Sequence, residues 1–274
     1  MGVRVRPHPR LSAPPAEAPT NEAAPKVRPE SWTIGAYAAG PRTDESRSST
    51  GDDQLMSTTT HPAAPATRAR GREWLIPTGL IALSLVPVIA GSVRLTELSS
   101  SPEVTAANER FVADPIPVAI HIVAATVYCV LGAFQFVPSL RNRRIGWHRA
   151  AGRVLIPAGL AVALSGIWMT LFYDVPATDD GPILVGIRLV VGTVMAGGIV
   201  MAFVAVRRRD IARHRAWMIR AYALGLAAGT QAFTHLPLLL SGNQPTETDR
   251  TIAMAAGWLI NVAVAEWIIR RARR

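Results

Sequence analysis

The tripeptide His-Arg-Ala occurs twice, at 148–150 and at 214–216, each time directly before a long apolar run. The first helical turn offers unbonded backbone N–H groups and the positive end of the helix dipole, which together favour an anion. Arg149, Arg153, Arg215 and Arg220 are placed to meet phosphate oxygens, while Trp147 and Trp217 suit a headgroup layer. The bland expectation is therefore lipid or phosphate contact through His148, Arg149, Arg153, His214, Arg215 and Arg220.

A second set of reactive residues lies inside apolar runs. His121, Tyr128 and Gln135 are spaced by seven, which keeps them close to one helix face, and Ala124, Ala125 and Gly132 lie near that face. Counted from the other end of the runs, His121, Arg188 and His235 stand at similar depth on three different segments, with Gln231 one turn from His235. Polar groups at bilayer depth are costly and face a bundle interior. His121, Arg188, Gln231, His235 and Tyr128 are therefore the candidate cofactor-binding set. Two neutral imidazoles from facing helices are the axial ligands of a b-type haem, and Arg188 would pair with a propionate. A quinone is the other redox ligand considered. The alternatives are a carrier or binding protein for a small anionic or lipid-like ligand, and a structural membrane protein in which each polar group bonds only to a neighbouring helix. A further haem between His148 and His214 is less expected, because the arginines around them suit lipid phosphate better; the two have no clear third partner in the sequence, so no bare metal site is expected, and Cys129 alone supports neither a disulfide nor a cysteine cluster.

The elements that must position these groups follow from composition. The chain has 274 residues, 49% hydrophobic and 18% charged, with a mean hydropathy of +0.23. That balance is too apolar for an average soluble domain. From Trp74 onward six apolar runs, near 74–94, 115–138, 154–173, 183–206, 216–240 and 251–270, approach the roughly 20 residues that cross a bilayer. The expected fold is all-α, a polytopic bundle of about six transmembrane helices over 74–274. Arginines gather in the segments after the second and fourth runs, before the first and after the last. Acidic residues such as Glu97, Asp114, Asp180 and Glu247 occupy the opposite connections. By the positive-inside rule this places both termini in the cytoplasm and the protein in the cytoplasmic membrane. Membrane lipids are the expected partners, and a homodimer is open.

Residues 1–73 hold ten of the 21 prolines and no apolar periodicity. They read as a disordered cytoplasmic tail, or, over 1–55, as a mis-assigned start, because Met56 opens a plausible reading frame of its own. A second alternative concerns the first run, where Arg-rich flanks and the "VIAGS" stretch resemble a cleavable signal. The net charge of +10 comes from short clusters between apolar runs and carries no nucleic-acid groove. No G-x-S-x-G, H-E-x-x-H, Walker A or G-x-G-x-x-G element is present, which sets aside the standard hydrolase, zinc-protease and nucleotide chemistries; whether the protein is an enzyme stays open.

His-Arg-x-x-Gly-Arg, carried here by His148, Arg149, Gly152 and Arg153, joins His-Arg-x-Trp-Met-x-Arg, carried by His214, Arg215, Trp217, Met218 and Arg220. Together they resemble the bacterial predicted-membrane-protein family catalogued as domain of unknown function 2306, over about residues 80–240. The resemblance implies a multi-span helical bundle and no particular activity. That family's pattern sets an arginine beside an aromatic late in the fifth span, where this chain reads "TQAFTHLPL", so His235 is particular to this chain. Similar placement of the two motifs in spans two–three and four–five hints at an internal repeat. Arg220 and Glu266 stand at similar depth and are expected to pair, and Gly225 and Gly229 form a GxxxG match.

Overall fold

Prolines and capping side chains set where the helices begin. Pro115 and Pro182 stand at the first helical position, where a missing N–H costs nothing. Asp210 accepts from the backbone N–H of Arg213 at 2.9 Å, and Thr246 forms a reciprocal capping box with Asp249. In this computed structural model, which describes residues 73–175 and 181–272, seven main helices follow. They are α1 (Leu75–Ser99), α2 (Pro115–Ala133), α3 (Ile145–Phe172), α4 (Pro182–Arg207), α5 (Ile211–Gly225), α6 (Ala227–Thr234) and α7 (Glu247–Arg271). Short helices Glu109–Ala113, Pro138–Arg143 and Leu236–Leu240 occupy connections or extend α6. The expectation for the tail, up to residue 72, falls outside the described residues.

Five of these helices are long and apolar enough to cross a membrane, and the pair α5–α6 with its short extension makes a sixth, bent by 42°. The bend is where hydropathy alone misleads, because an unbroken fifth run was expected. A break in hydrocarbon frees backbone groups that only other protein groups can satisfy. Asn261 of α7 does this: its Nδ2 donates to the Ala223 carbonyl at 2.9 Å while its Oδ1 accepts from Thr230 at 2.7 Å, one bond on each side of the break. A second difference lies at the helix starts. α3 begins at Ile145 rather than near 154, and α5 at Ile211 rather than 216, so both His-Arg-Ala stretches lie inside the first two helical turns. A hydropathy window detects the apolar part of a helix and not its polar first turn.

Helices α1 to α4 pack as successive antiparallel neighbours; α5 lies against α4 and also reaches α2, α3 and α7. Beyond the bend α6 leaves that group and packs on α1 and α7. Glycines permit these approaches. The Tyr128 ring occupies the space where Gly159 and Gly225 lack side chains, for a Cβ there would lie 2.6 and 2.9 Å from it. Gly132 makes the same room for Tyr222, whose hydroxyl donates to the Cys129 carbonyl at 2.7 Å. Gly229 meets α1 directly, since a Cβ would stand 2.1 Å from the Leu83 carbonyl oxygen. The two glycines of the GxxxG match therefore serve different partners. Cys129 is a buried packing residue against Gly225. Outward-facing residues such as Leu259 and Val190 stay apolar and exposed, as a lipid-facing surface requires.

Candidate functional site

The bundle has an acidic end and an arginine-rich end, and the polar side chains meet different fates in each. At the acidic end His121 sits on α2 and faces α3, where its Nδ1 lies 3.0 Å from Ser165 Oγ. Ser165 sends its own proton back to the Ala161 carbonyl, so the imidazole is the donor in that bond. His235, just past α6, donates from Nδ1 to the Gln231 carbonyl one turn earlier, at 2.8 Å. Gln231 Nε2 donates to the Met254 carbonyl of α7 at 3.1 Å, and Arg188 of α4 reaches the Met254 sulfur at 3.6 Å. Thr234 donates to the Ala253 carbonyl at 2.7 Å.

Arg188 and Gln231 are thus brought together on Met254, with His235 beside Gln231. His121 is held on the other side, in the α2–α3 seam, and Tyr128 is enclosed by α3 and α5. No described contact joins His121 to His235. Similar depth put them at one level, and helix rotation sent them to different partners.

At the arginine-rich end the pattern reverses. His148, in the first turn of α3, lies within electrostatic reach of His214, in the first turn of α5, and of Arg141 and Arg149. His214 donates from Nδ1 to the Ala202 carbonyl of α4 at 2.9 Å, which fixes the tautomer and leaves Nε2 with a lone pair. The buried Nδ1 of His148 has no hydrogen-bond partner. The Tyr128 hydroxyl, held at mid-bundle beside Gly159 and Gly225, and both amide atoms of Gln135 are also without one. Buried polar atoms are nearly always satisfied, so these groups are unusual. The acidic end has a lesser counterpart in Thr251 Oγ1.

The space beside His148 is open. A Cβ at Gly152, one turn further along α3, would meet nothing within 4 Å. Arg149, Arg213 and Arg215 are exposed around the pair. Trp217 lies against Gly198 and under the Arg220 guanidinium, 5.0 Å from the ring centre. Arg220 forms the expected two-pronged ion pair with Glu266 of α7, at 2.5 Å from Nε and 3.1 Å from Nη2.

The spacing of seven in α2 did announce an inward face, for Tyr128 and Gly132 are buried. What it could not announce was the electrostatic influence of His214 on His148 across α3 and α5. The signal for it was the repeated motif itself, since both copies open helices that run the same way through the bundle. A family model described as predicted membrane protein (DUF2306) matches residues 118–269, which spans α2 to α7 and both His-Arg motifs. No curated protein and no solved structure matches the chain.

Proposed function

The chain belongs to the DUF2306 family of predicted membrane proteins, and we propose that it is a multi-pass redox protein holding one b-type haem between His148 and His214. The carrying observation is that His148 and His214 open two helices that pack on each other, α3 and α5, and act on each other electrostatically, with His214 Nδ1 anchored on the Ala202 carbonyl and His148 Nδ1 buried without a partner. Among the described residues no group of three or more His, Cys, Asp or Glu could hold a metal ion. Two imidazoles fit a group that brings its own four equatorial nitrogens, and haem is that group. The gap at Gly152 and the exposed Arg149, Arg213 and Arg215 fit a flat macrocycle with anionic propionates at a bundle end. Haem bound there would supply one-electron chemistry. The chain's own part is to hold His214 in one tautomer and to balance charge with arginines.

The assignment moves the proposed haem from His121 and His235, whose Nδ1 atoms are both engaged but on separate seams. By the positive-inside rule the arginine-rich end lies in the cytoplasm, in the cytoplasmic membrane. The test is a reduced-minus-oxidised absorption spectrum of the purified full chain reconstituted with haemin. A haem signal in wild type, His121→Ala and His235→Ala that disappears in both His148→Ala and His214→Ala is the expected result. A folded, haem-supplied wild type without the signal ends the proposal.

A further inference from the structure

The two His-Arg motifs meet opposite surroundings. Each carries an arginine further into its helix: Arg220 in α5, which finds Glu266, and Arg153 in α3. Among the described residues Arg153 takes part in no ion pair and no side-chain hydrogen bond. It is exposed, and with Arg149 it heads a stripe that continues at helical spacing through Pro157, Leu164 and Leu171, all exposed. That stripe is the lipid-facing side of α3. The α5 copy has no such stripe, for Ile219 and Tyr222, the next residues on the face of Arg215, are buried. At the helical rise Arg153 stands roughly 28 Å from Phe172 at the other end of α3, close to the roughly 30 Å of a bilayer's hydrocarbon core. Its backbone therefore lies at the border between acyl chains and headgroups. Pro157 agrees with that level: it has no N–H, so the helix ladder leaves the Arg153 carbonyl without its usual donor. Such a carbonyl is costly in hydrocarbon and tolerated beside hydrated headgroups.

We propose that Arg153, with Arg149 one turn further out adding charge, holds the phosphate of an anionic phospholipid in the leaflet at the arginine-rich end, whose acyl chains lie along Val154, Pro157 and Leu164. A guanidinium is a planar fork of donors that matches two phosphate oxygens. Among the described residues neither arginine has a carboxylate to neutralise it. Two such cations favour a headgroup of net negative charge over a zwitterionic one, whose own ammonium they would repel. A free phosphate would meet the arginines but gain nothing from the apolar stripe below them, so the occupant is a lipid. Arg153 has no part in the haem reading, and the lipid seat does not rest on that reading.

The experiment is native mass spectrometry of the full chain released from detergent, titrated with phosphatidylglycerol and, in parallel, with phosphatidylcholine of the same acyl chains. Wild type should bind a first phosphatidylglycerol roughly tenfold more tightly than phosphatidylcholine. Arg153→Gln should bring that preference close to unity, whereas Arg153→Lys should keep most of it. Arg208→Gln removes an equally exposed charge from the turn between α4 and α5 and should leave the preference unchanged. Thermal melts of all three variants should match wild type, because none of these side chains is buried. Four results overturn the proposal. They are no preference in wild type; an unchanged preference in Arg153→Gln; an equal loss in Arg208→Gln, which makes the effect one of overall charge; and displacement of the lipid by equimolar glycerol 3-phosphate, which makes the seat one for a free anion.

Discussion

The two ends of this bundle carry similar residues and use them differently. At the acidic end His121, Gln231, Thr234 and His235 each close a hydrogen bond with a seam of the protein. Toward the arginine-rich end Gln135 and His148 bury polar atoms without a hydrogen-bond partner, and Tyr128 does the same at mid-bundle. A polar group inside a membrane is therefore not in itself a site. The satisfied ones hold helices together. The bend between α5 and α6 produces the difference, because it turns one span toward α4 at one end and toward α1 at the other.

The strongest way to break the comparison is to remove the bend's anchorage. Gly229→Val places a side chain on the Leu83 carbonyl, and it should cost at least about 4 kcal/mol, read as loss of monodisperse protein in detergent. Next in size is Glu266→Ala, which leaves Arg220 without its carboxylate. After discounting for the partial exposure of both groups, about 2 kcal/mol of stability should disappear in a thermal melt, and the double variant Arg220→Met, Glu266→Ala should recover part of it.

Sharper comparison comes from hydrogen bonds. Asn261→Leu should cost about 1 to 2 kcal/mol by leaving the Ala223 carbonyl unpaired beside the break, whereas Tyr128→Phe, which removes a hydroxyl with no partner, should be near neutral or stabilising. A Tyr128→Phe loss as large as that of Asn261→Leu would mean that both halves are equally complete. The smallest effect concerns Tyr173, whose hydroxyl donates to the Asp114 carbonyl and ties the end of α3 to the start of α2. Burial raises its pKa above the usual phenol value. Its contribution is therefore complete below the unfolded pKa near 10 and falls away as pH rises through the folded one. Stability measured from pH 8 to 11 should decline in wild type by more than in Tyr173→Phe.

Much of the fold was legible because bilayer thickness dictates it. Six apolar runs became five long helices and one bent pair, with the fourth run matching Pro182–Arg207 to within a residue at each end. The Arg220–Glu266 pair was legible too, since two opposite charges at one depth rarely stay apart in hydrocarbon. The bend escaped the hydropathy reading because Gly225 and Leu226 are as apolar as a straight helix would require. His121 and His235 looked like partners because depth is readable from residue count, whereas rotation about the helix axis and the order of neighbours are not.

By itself, then, the sequence determined how many segments cross the membrane, how deep each polar group lies, and that His-Arg-Ala opens two helices. Those are one-dimensional quantities, set by residue count and by the free energy of moving side chains out of water. Only the tertiary structure decided which partner each imidazole faces. Close approach of helices depends on glycines such as Gly132, Gly159, Gly225 and Gly229 fitting particular side chains and carbonyls on other segments, and such a fit exists only between helices already packed in three dimensions.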